Sequence, residues 1–315
     1  MTEMKMLREA FGDALVKLGK KNKRIVVLDA DISSSLKTGK FAKMFPERHI
    51  NYGVAEQNML MSAAGIAATG LTPLACTYAA FASMRACEQI RSMICYPNLN
   101  VKVIATHGGI EVGWDGPTHQ ATEDIAMMRS IPNMTVVVPS DAVAVKLLLE
   151  QAVELIGPVY FRMGRNPVPV IYTDQQPFTI GKAICLREGK DVLLIAVGTM
   201  LATALKAADK LAAYGLKCTV MDMHTIKPLD EIALLENLRS KKLVVTLEDH
   251  NIIGGLGGAV AECLSENDPK HMIRIGVRDT FTESGAPQEL FKKYNMDVGY
   301  VVQSIRQFIK NNKNL

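Results

Sequence analysis

Short apolar runs alternate with helical segments along the first half of the sequence. Three of these runs, at 24–32, 72–78 and 100–107, have the length of strands and end in polar residues. Such runs are typical of buried parallel strands, and parallel strands need helical crossovers that cover both faces of the sheet. Ligands bind beyond the carboxyl ends of such strands. The side chains expected at or near those ends belong to Asp29, Asp31, Tyr78, His107 and Arg162.

A second alternating block follows a break in the pattern. Residues 166–183 are rich in proline, glutamine and threonine, which is typical of a linker with an edge strand. After this linker, apolar runs such as 191–199 and 242–249 again alternate with helical segments. We therefore predict an α/β protein with two doubly wound domains: a mostly parallel-sheet domain over residues 1–175 and a smaller α/β domain over residues 176–315.

The composition excludes several classes of protein. The chain has 315 residues, of which 48% are hydrophobic and 22% charged, and its formal net charge is +4. This charge is too small and too evenly spread to indicate nucleic-acid binding. No apolar run is long enough to span a bilayer, so no membrane association is expected. None of the six cysteines forms a C-x-x-C pair, so no metal site is predicted, and a reducing, cytoplasmic location is expected.

One loop carries an unusual set of chemical groups. Residues 111–124, EVGWDGPTHQATED, contain two glycines, a proline, a histidine and four acids. Glycines allow the backbone to approach a ligand closely. His107 and His119, with Asp115 between them, can hydrogen-bond hydroxyl groups and shuttle protons. A sugar phosphate, with its hydroxyls, carbonyl and dianion, matches this set of groups.

A second segment, NYGVAEQNMLMSAAGIAATG at 51–70, begins a helix of small and apolar residues with one acid, Glu56. The helix dipole alone favours an acid at this place. A carboxyl group in an apolar pocket can instead keep its proton and donate a hydrogen bond to a ring nitrogen. The aminopyrimidine of thiamine diphosphate needs such a donor before its thiazolium carbon can be activated. Tyr78 and Phe81 could either flank this flat ring or pack as core aromatics.

Three segments match motifs of one known family. GVAEQNM at 53–59 is similar to a GIREHAM segment, ATHGGIEVGWDGPTHQ at 105–120 to a THD…GEDGPTHQ loop, and DADISSS at 29–35 to a SADLTGSN segment. These are motifs of transketolases, and the sequence resembles the C-terminal half of that family over almost its whole length. The resemblance implies a thiamine pyrimidine-binding domain up to about residue 170, followed by a transketolase C-terminal domain.

The resemblance assigns the cofactor contacts. It implies thiamine diphosphate as the cofactor and Glu56 as the residue that activates it. Tyr78 and Phe81 would form the aromatic pocket for the pyrimidine, and Asp31 would lie near the cofactor. Met84 would line the same pocket, where transketolases have a third aromatic residue.

The resemblance also assigns the contacts to the substrate phosphate. His107 and Arg162 would hold the phosphate of the donor or the acceptor sugar. Ser35 would lie beside that phosphate, and Arg8 is a further candidate. A salt bridge at the edge of the sheet is the alternative explanation for Arg162.

The remaining substrate contacts lie on the glycine-rich loop. Asp115 would bind the sugar hydroxyl next to the carbonyl, and His119 the carbonyl side of the donor, where with His107 it would take part in catalysis. Trp114 stands where transketolases often have an acid, and Gly108 replaces an acid after the first histidine of the loop. These differences affect which sugar is bound rather than which cofactor.

The sequence lacks the GDG motif and the downstream asparagine with which transketolases bind Mg²⁺ and the diphosphate. We therefore expect a separate N-terminal subunit to hold both of these groups. The expected assembly is a heterotetramer built on a homodimer of this chain. The predicted reaction is transfer of a two-carbon ketol unit between a ketose phosphate and an aldose phosphate.

Three alternatives stay open at this point. The chain could be similar in function to 1-deoxyxylulose-5-phosphate synthase, which has an arginine close to the position of Arg85. It could be the beta subunit of a 2-oxo acid dehydrogenase, which has the same two domains but no DGPTHQ loop. It could also be a scaffold that has kept the fold without catalysis, although the presence of Glu56, His107, Asp115 and His119 disfavours this.

Overall fold

The structure, a computed structural model, describes residues 3–239 and 241–312. The strands within these ranges are β1 (Met4–Met6), β2 (Ile25–Asp29), β3 (His49–Asn51), β4 (Thr72–Tyr78), β5 (Lys102–Thr106), β6 (Thr135–Val137), β7 (Val159–Arg162), β8 (Pro167–Pro169), β9 (Ile184–Arg187), β10 (Val192–Ala196), β11 (Cys218–Asp222), β12 (Thr225–Lys227), β13 (Leu243–Asn251) and β14 (Met272–Val277).

The α-helices of the same ranges are α1 (Leu7–Lys21), α2 (Ser33–Leu36), α3 (Gly39–Met44), α4 (Glu56–Ala68), α5 (Asp124–Ser130), α6 (Ala142–Glu154), α7 (Met200–Ala212), α8 (Glu231–Leu238), α9 (Leu256–Asn267), α10 (Pro287–Lys293) and α11 (Val298–Asn311). Phe81–Arg85 and Gln89–Cys95 form wider π-helical turns, and Pro46–Arg48 and Ile110–Asp115 form 3₁₀ turns. None of the helices in the described ranges is both long enough and apolar enough to cross a membrane.

The first sheet has, within the described residues, seven strands in the order β12–β6–β7–β5–β4–β2–β3. Neighbouring strands run parallel except β12, which is antiparallel to β6. Strands β2 and β5 are buried along their whole length, because helices cover both faces of the sheet. Their uninterrupted apolar runs are the sequence signature of this burial.

The second sheet has five described strands in the order β14–β13–β10–β11–β9, and only the pair β11–β9 is antiparallel. The predicted class, α/β with two mostly parallel sheets, is confirmed. The two units are more closely joined than expected, because β12 lies beyond the linker in sequence but pairs with β6 of the first sheet. The boundary between residues 175 and 176 stays a prediction.

The N-terminal segment differs from its prediction. The sequence predicts a helix over residues 4–18, but Met4–Met6 forms β1 and pairs with β8, the edge strand of the linker. Helix α1 therefore starts at Leu7. The pairing ties the beginning of the chain to the segment that leaves the first sheet.

The carboxyl ends of β2, β4, β5 and β7 lie at one edge of the first sheet, as parallel pairing requires. Two non-glycine residues just beyond these ends have left-handed backbones, Asp31 with φ 63° and His107 with φ 61°. This conformation is uncommon outside glycine and is found preferentially at functional sites. The geometry indicates a ligand site at this edge.

Candidate active site

Four aromatic rings meet at the carboxyl ends of β4 and β5. The ring centroid of Tyr78 lies 4.2 Å from that of His107 and 5.9 Å from those of Phe81 and His119. Phe81 and His119 are 5.2 Å apart and nearly perpendicular. The structure thus brings the pocket aromatics and both loop histidines together, although they come from three separate segments of the chain.

One side of this ring cluster carries polar groups from the N-terminal part of the chain. The hydroxyl groups of Tyr78 and Ser35 are 3.0 Å apart, and Arg8 Nη1 donates to the carbonyl oxygen of Ser35 over 3.4 Å. Arg8 Nε is buried and has no hydrogen-bond partner among the described residues. A buried guanidinium donor without a protein acceptor indicates a place for an anionic ligand group.

His107 is more deeply buried than its predicted role suggests. Its side chain is 2% exposed, and Nδ1 lies 3.3 Å from the hydroxyl oxygen of Thr106. Burial, together with the smaller effects of the neighbouring Arg165, Arg8 and His119, lowers the pKa of His107 to about 3. His107 is therefore neutral near pH 7 and offers a hydrogen bond rather than a positive charge. The guanidinium groups of Arg8 and Arg165 both lie close to His107.

The glycine-rich loop exposes its acid and its second histidine at the rim of the site. Gly113 and Gly116 have φ values of 75°, a conformation that other residues adopt only with strain. Between them lies Asp115, whose Oδ1 accepts a hydrogen bond from Arg165 Nη1 over 3.1 Å. His119 Nδ1 lies 3.0 Å from the hydroxyl oxygen of Thr118.

Glu56 lies on the other side of Phe81, at the first residue of α4. Its side chain is 2% exposed, and Oε2 accepts a hydrogen bond from Arg85 Nη1 over 2.9 Å. The Arg85 guanidinium stacks 4.5 Å from the centroid of the Phe81 ring. The pocket around Glu56 is therefore buried but not purely apolar, which differs from the sequence-based expectation. Within the part of the chain that the structure describes, Arg85 donates to Oε2, and no protein donor to Oε1 is present.

Arg162 does not lie in this site. Its side chain is almost fully buried, where Nε donates to Asp124 Oδ2 over 2.8 Å and Nη2 donates to the carbonyl oxygens of Ala121 and Asp249. Removing the arginine would leave the carboxylate of Asp124 buried without its counter-charge. The structure does not support a phosphate-binding role for Arg162, because its guanidinium is already committed to internal partners.

A further arginine, Arg165, lies at the rim of the site and was not predicted from the sequence. Its guanidinium is partly exposed and donates to the carbonyl oxygen of Val112 over 2.6 Å as well as to Asp115. The signal was present in FRMGR, because β7 ends at Arg162 and ligands bind beyond strand ends rather than within them. Arg85 is the second site residue that was not assigned a role.

Two further candidates lie at the margin. Asp31 is exposed, and its Oδ1 accepts a hydrogen bond from Asn51 Nδ2 over 3.1 Å. Met84 follows Phe81 on the same π-helical turns and is 46% exposed. The described contacts place neither side chain in the ring cluster itself.

Together, these features define a class of protein: an α/β protein with a site for an anionic, hydroxyl-rich small molecule beside a buried carboxyl group. Comparison with known domains makes this specific. The pyrimidine-binding domain of transketolase matches residues 3–170, and the C-terminal domain of transketolase matches residues 181–301. The chain belongs to the transketolase family, which implies thiamine diphosphate and a divalent metal as cofactors.

Individual relatives match almost end to end. A transketolase C-terminal section from Methanocaldococcus jannaschii is 47% identical, over 97% of this chain and 97% of the relative. A 6-deoxy-6-sulfo-D-fructose transketolase subunit from Clostridium sp. is 42% identical, over 96% of this chain and 94% of the relative. A solved structure of a split-gene transketolase, described as an inactive β4 tetramer, is 49% identical with a TM-score of 0.90 and covers 96% of this chain and 97% of that one.

Proposed function

We propose that this chain is the C-terminal subunit of a two-chain transketolase, which transfers a two-carbon ketol unit between sugar phosphates with thiamine diphosphate. The observation that carries the proposal is the meeting of Glu56, the aromatic pair Tyr78 and Phe81, and the loop residues Asp115 and His119 at one edge of the first sheet. The near end-to-end match to a C-terminal section and to a split-gene transketolase supports the two-chain form.

The residues around Glu56 suit the pyrimidine ring of the cofactor. Phe81 and Tyr78 offer apolar ring faces, and Met84 and Asp31 lie at the margin. Among the described residues, only Arg85 donates a hydrogen bond to the buried carboxyl group of Glu56. When bound, thiamine diphosphate supplies a nucleophilic carbon for the carbonyl of the donor. The part of Glu56 is to hold or move a proton at the pyrimidine nitrogen.

The opposite side of the ring cluster suits an anionic sugar. Arg8, Ser35 and Arg165 would hold the terminal phosphate, since Arg8 Nε is a buried donor without a described partner and Arg165 lies at the rim. His107, being neutral, would donate or accept one hydrogen bond there. By its name, the Clostridium relative acts on a sulfonated sugar. A terminal anion is therefore common to both substrates, and for this chain we propose that the anion is a phosphate.

The loop would bind the reacting end of the sugar. Asp115 would accept a hydrogen bond from the hydroxyl next to the carbonyl, and His119 would bind the carbonyl side and exchange protons with it. Asp115 accepts a hydrogen bond from Arg165, and Nδ1 of His119 lies within hydrogen-bonding distance of the Thr118 hydroxyl. Mg²⁺ and the diphosphate would be held by the partner subunit.

A two-carbon transfer assay tests the proposal. The chain is mixed with the GDG-containing subunit of the same organism, thiamine diphosphate and Mg²⁺, and products are identified by mass spectrometry. Xylulose 5-phosphate with ribose 5-phosphate should give a seven-carbon and a three-carbon sugar phosphate. Release of CO₂ from pyruvate, with or without an aldose phosphate, would instead support the synthase or dehydrogenase alternative.

Replacement of Arg165 by alanine is expected to raise the KM for phosphorylated sugars about ten- to a hundredfold, because hydrogen bonds to charged groups contribute about 1.5–3 kcal/mol. The KM for the unphosphorylated sugar should change much less. Arg187→Ala, which removes an exposed ion pair between β9 and Asp209 of α7, is the matched control and should change neither KM. Equal losses with both sugars would contradict a phosphate contact by Arg165.

The isolated chain is expected to self-associate. Large apolar side chains lie exposed beside the site, including Val54 at 73% and Trp114 at 68% exposure, and closed twofold contacts are the commonest way to cover such surfaces. We expect at least a homodimer in solution. The next larger closed assembly would be a tetramer, like the β4 tetramer of the split-gene relative. Light scattering at micromolar concentration measures the mass. A monomer would mean that the partner subunit supplies the twofold contact.

A further inference from the structure

Backbone pairing accounts for only part of the shape of the glycine-rich loop. The N–H of Gly109 donates to the carbonyl oxygen of Ala121, and the N–H of Gly116 donates to that of Gly113, but His107, Gly109, Gly113 and Gly116 all have φ between 61° and 85°, which interrupts any longer helix or strand. The remaining backbone N–H groups need side-chain acceptors, because buried donors without partners are costly.

Two of these acceptors come from the second sheet. Asp249, near the end of β13, has a fully buried side chain whose Oδ1 accepts the N–H of Ile110 over 2.8 Å and whose Oδ2 accepts the N–H of Glu111 over 3.1 Å. The close approach depends on Gly109, where a Cβ atom would lie 2.1 Å from Asp249 Oδ2. One carboxylate thus holds two consecutive amides at the start of the loop.

The far end of the loop is held from the same direction. The amide nitrogen of the Gln120 side chain donates to the carbonyl oxygens of Gly113 and Glu283, and the Thr282 hydroxyl donates to Gln120 Oε1. Beyond the loop, the N–H of Asn251 donates to the carbonyl oxygen of Thr122 over 2.7 Å. Residues on both sides of Trp114, Asp115 and His119 are thereby fixed by the C-terminal part of the chain.

We propose that the C-terminal part of the chain positions the sugar-binding loop, and that Asp249 is the positioning residue at its centre. Asp249 touches neither the ring cluster nor Glu56 in the described contacts, so it acts through the backbone of Ile110 and Glu111. The consequence is a division of labour: the C-terminal domain sets affinity for the sugar through the loop, and the first sheet sets cofactor activation. Only the expected effects on the KM for the sugars and on cofactor activation rest on the proposed function.

Asp249→Asn is the direct test, because asparagine keeps the shape but turns one acceptor into a donor that faces an amide N–H. In the isolated chain, hydrogen exchange of the amides in residues 108–116 should accelerate about tenfold or more, while the second sheet exchanges as before. In the two-chain enzyme, the KM for the sugars should rise about tenfold or more, and exchange of the thiazolium proton should stay unchanged.

Two further variants keep the test decisive if Asp249→Asn folds poorly. Thr282→Val removes one hydroxyl at the far end of the loop and should accelerate exchange there by a smaller factor. Thr246→Val on β13 is the control, because the Thr246 hydroxyl is buried with no described partner, and it should leave the loop unchanged.

Two results would overturn the proposal. In the first, the loop amides of both Asp249→Asn and Thr282→Val exchange at the wild-type rate. In the second, exchange in these variants is faster across the whole second sheet. A complex without any transketolase activity would refute the proposed function, while local loop exchange in Asp249→Asn would still support the positioning role.

Discussion

The purified chain alone should show no turnover of xylulose 5-phosphate with ribose 5-phosphate, even with thiamine diphosphate and Mg²⁺ in excess. The proposed site contains the carboxyl group, the aromatic pocket and the sugar loop, and the diphosphate and the metal are assigned to the partner. The related split-gene chain is described as an inactive β4 tetramer, which is the behaviour expected here. A coupled assay for glyceraldehyde 3-phosphate measures the rate.

Addition of the diphosphate-binding subunit to the same preparation is the positive control and should restore activity in proportion to complex formed. The two-chain assignment would be contradicted if the chain alone were as active as the mixture. That activity would have to stay with the chain through several purification columns. If the mixture stayed inactive although light scattering showed the heteromeric complex, the proposed reaction would be contradicted.

Glu56→Gln should lower the rate of the reconstituted enzyme about a hundredfold or more, since positioned proton transfer contributes about that much. Glutamine has the same shape and can still accept the hydrogen bond of Arg85 through its oxygen, so the melting temperature and the assembly should change little. The pre-steady-state rate and the melting curve are measured on the same sample.

Glu88→Gln makes the same chemical change at an exposed position, where the carboxylate accepts a hydrogen bond from the neighbouring Gln89 over 3.1 Å. It should leave the rate unchanged. His119→Ala supplies the contrast, because sugar transfer should fall while thiazolium proton exchange stays near normal. A rate for Glu56→Gln within a few-fold of wild type would remove Glu56 from the mechanism.

The sequence predicts well where local pattern and burial agree. The sequence predicts a strand over residues 72–78, which are the observed bounds of β4, and a helix over 55–69, which is within one residue of α4 at each end. An apolar run and a small-residue helix are compatible with few other structures. The sequence motifs also led to Glu56, Tyr78, His107 and His119, which the structure brings to one edge of the first sheet, and their roles stay predictions.

What the sequence could not give depends on contacts between distant segments. The sequence of residues 81–95 predicts a single helix, but the segment forms two π-helical turns, and Arg85 on the first of them contacts both Phe81 and Glu56. Arg162 and Arg165 are three positions apart. Arg162 is the last residue of β7 and is buried, whereas Arg165 follows the strand and lies at the rim of the site.

Exchange of the thiazolium proton of thiamine diphosphate, followed by NMR in deuterated buffer, tests the central claim most directly. The claim is that Glu56 of this chain activates a cofactor whose diphosphate is held by another chain. Exchange should be slow with either subunit alone, fast with both together, and slow again when this chain carries Glu56→Gln. Fast exchange with the partner alone, or with both chains despite Glu56→Gln, would contradict the account.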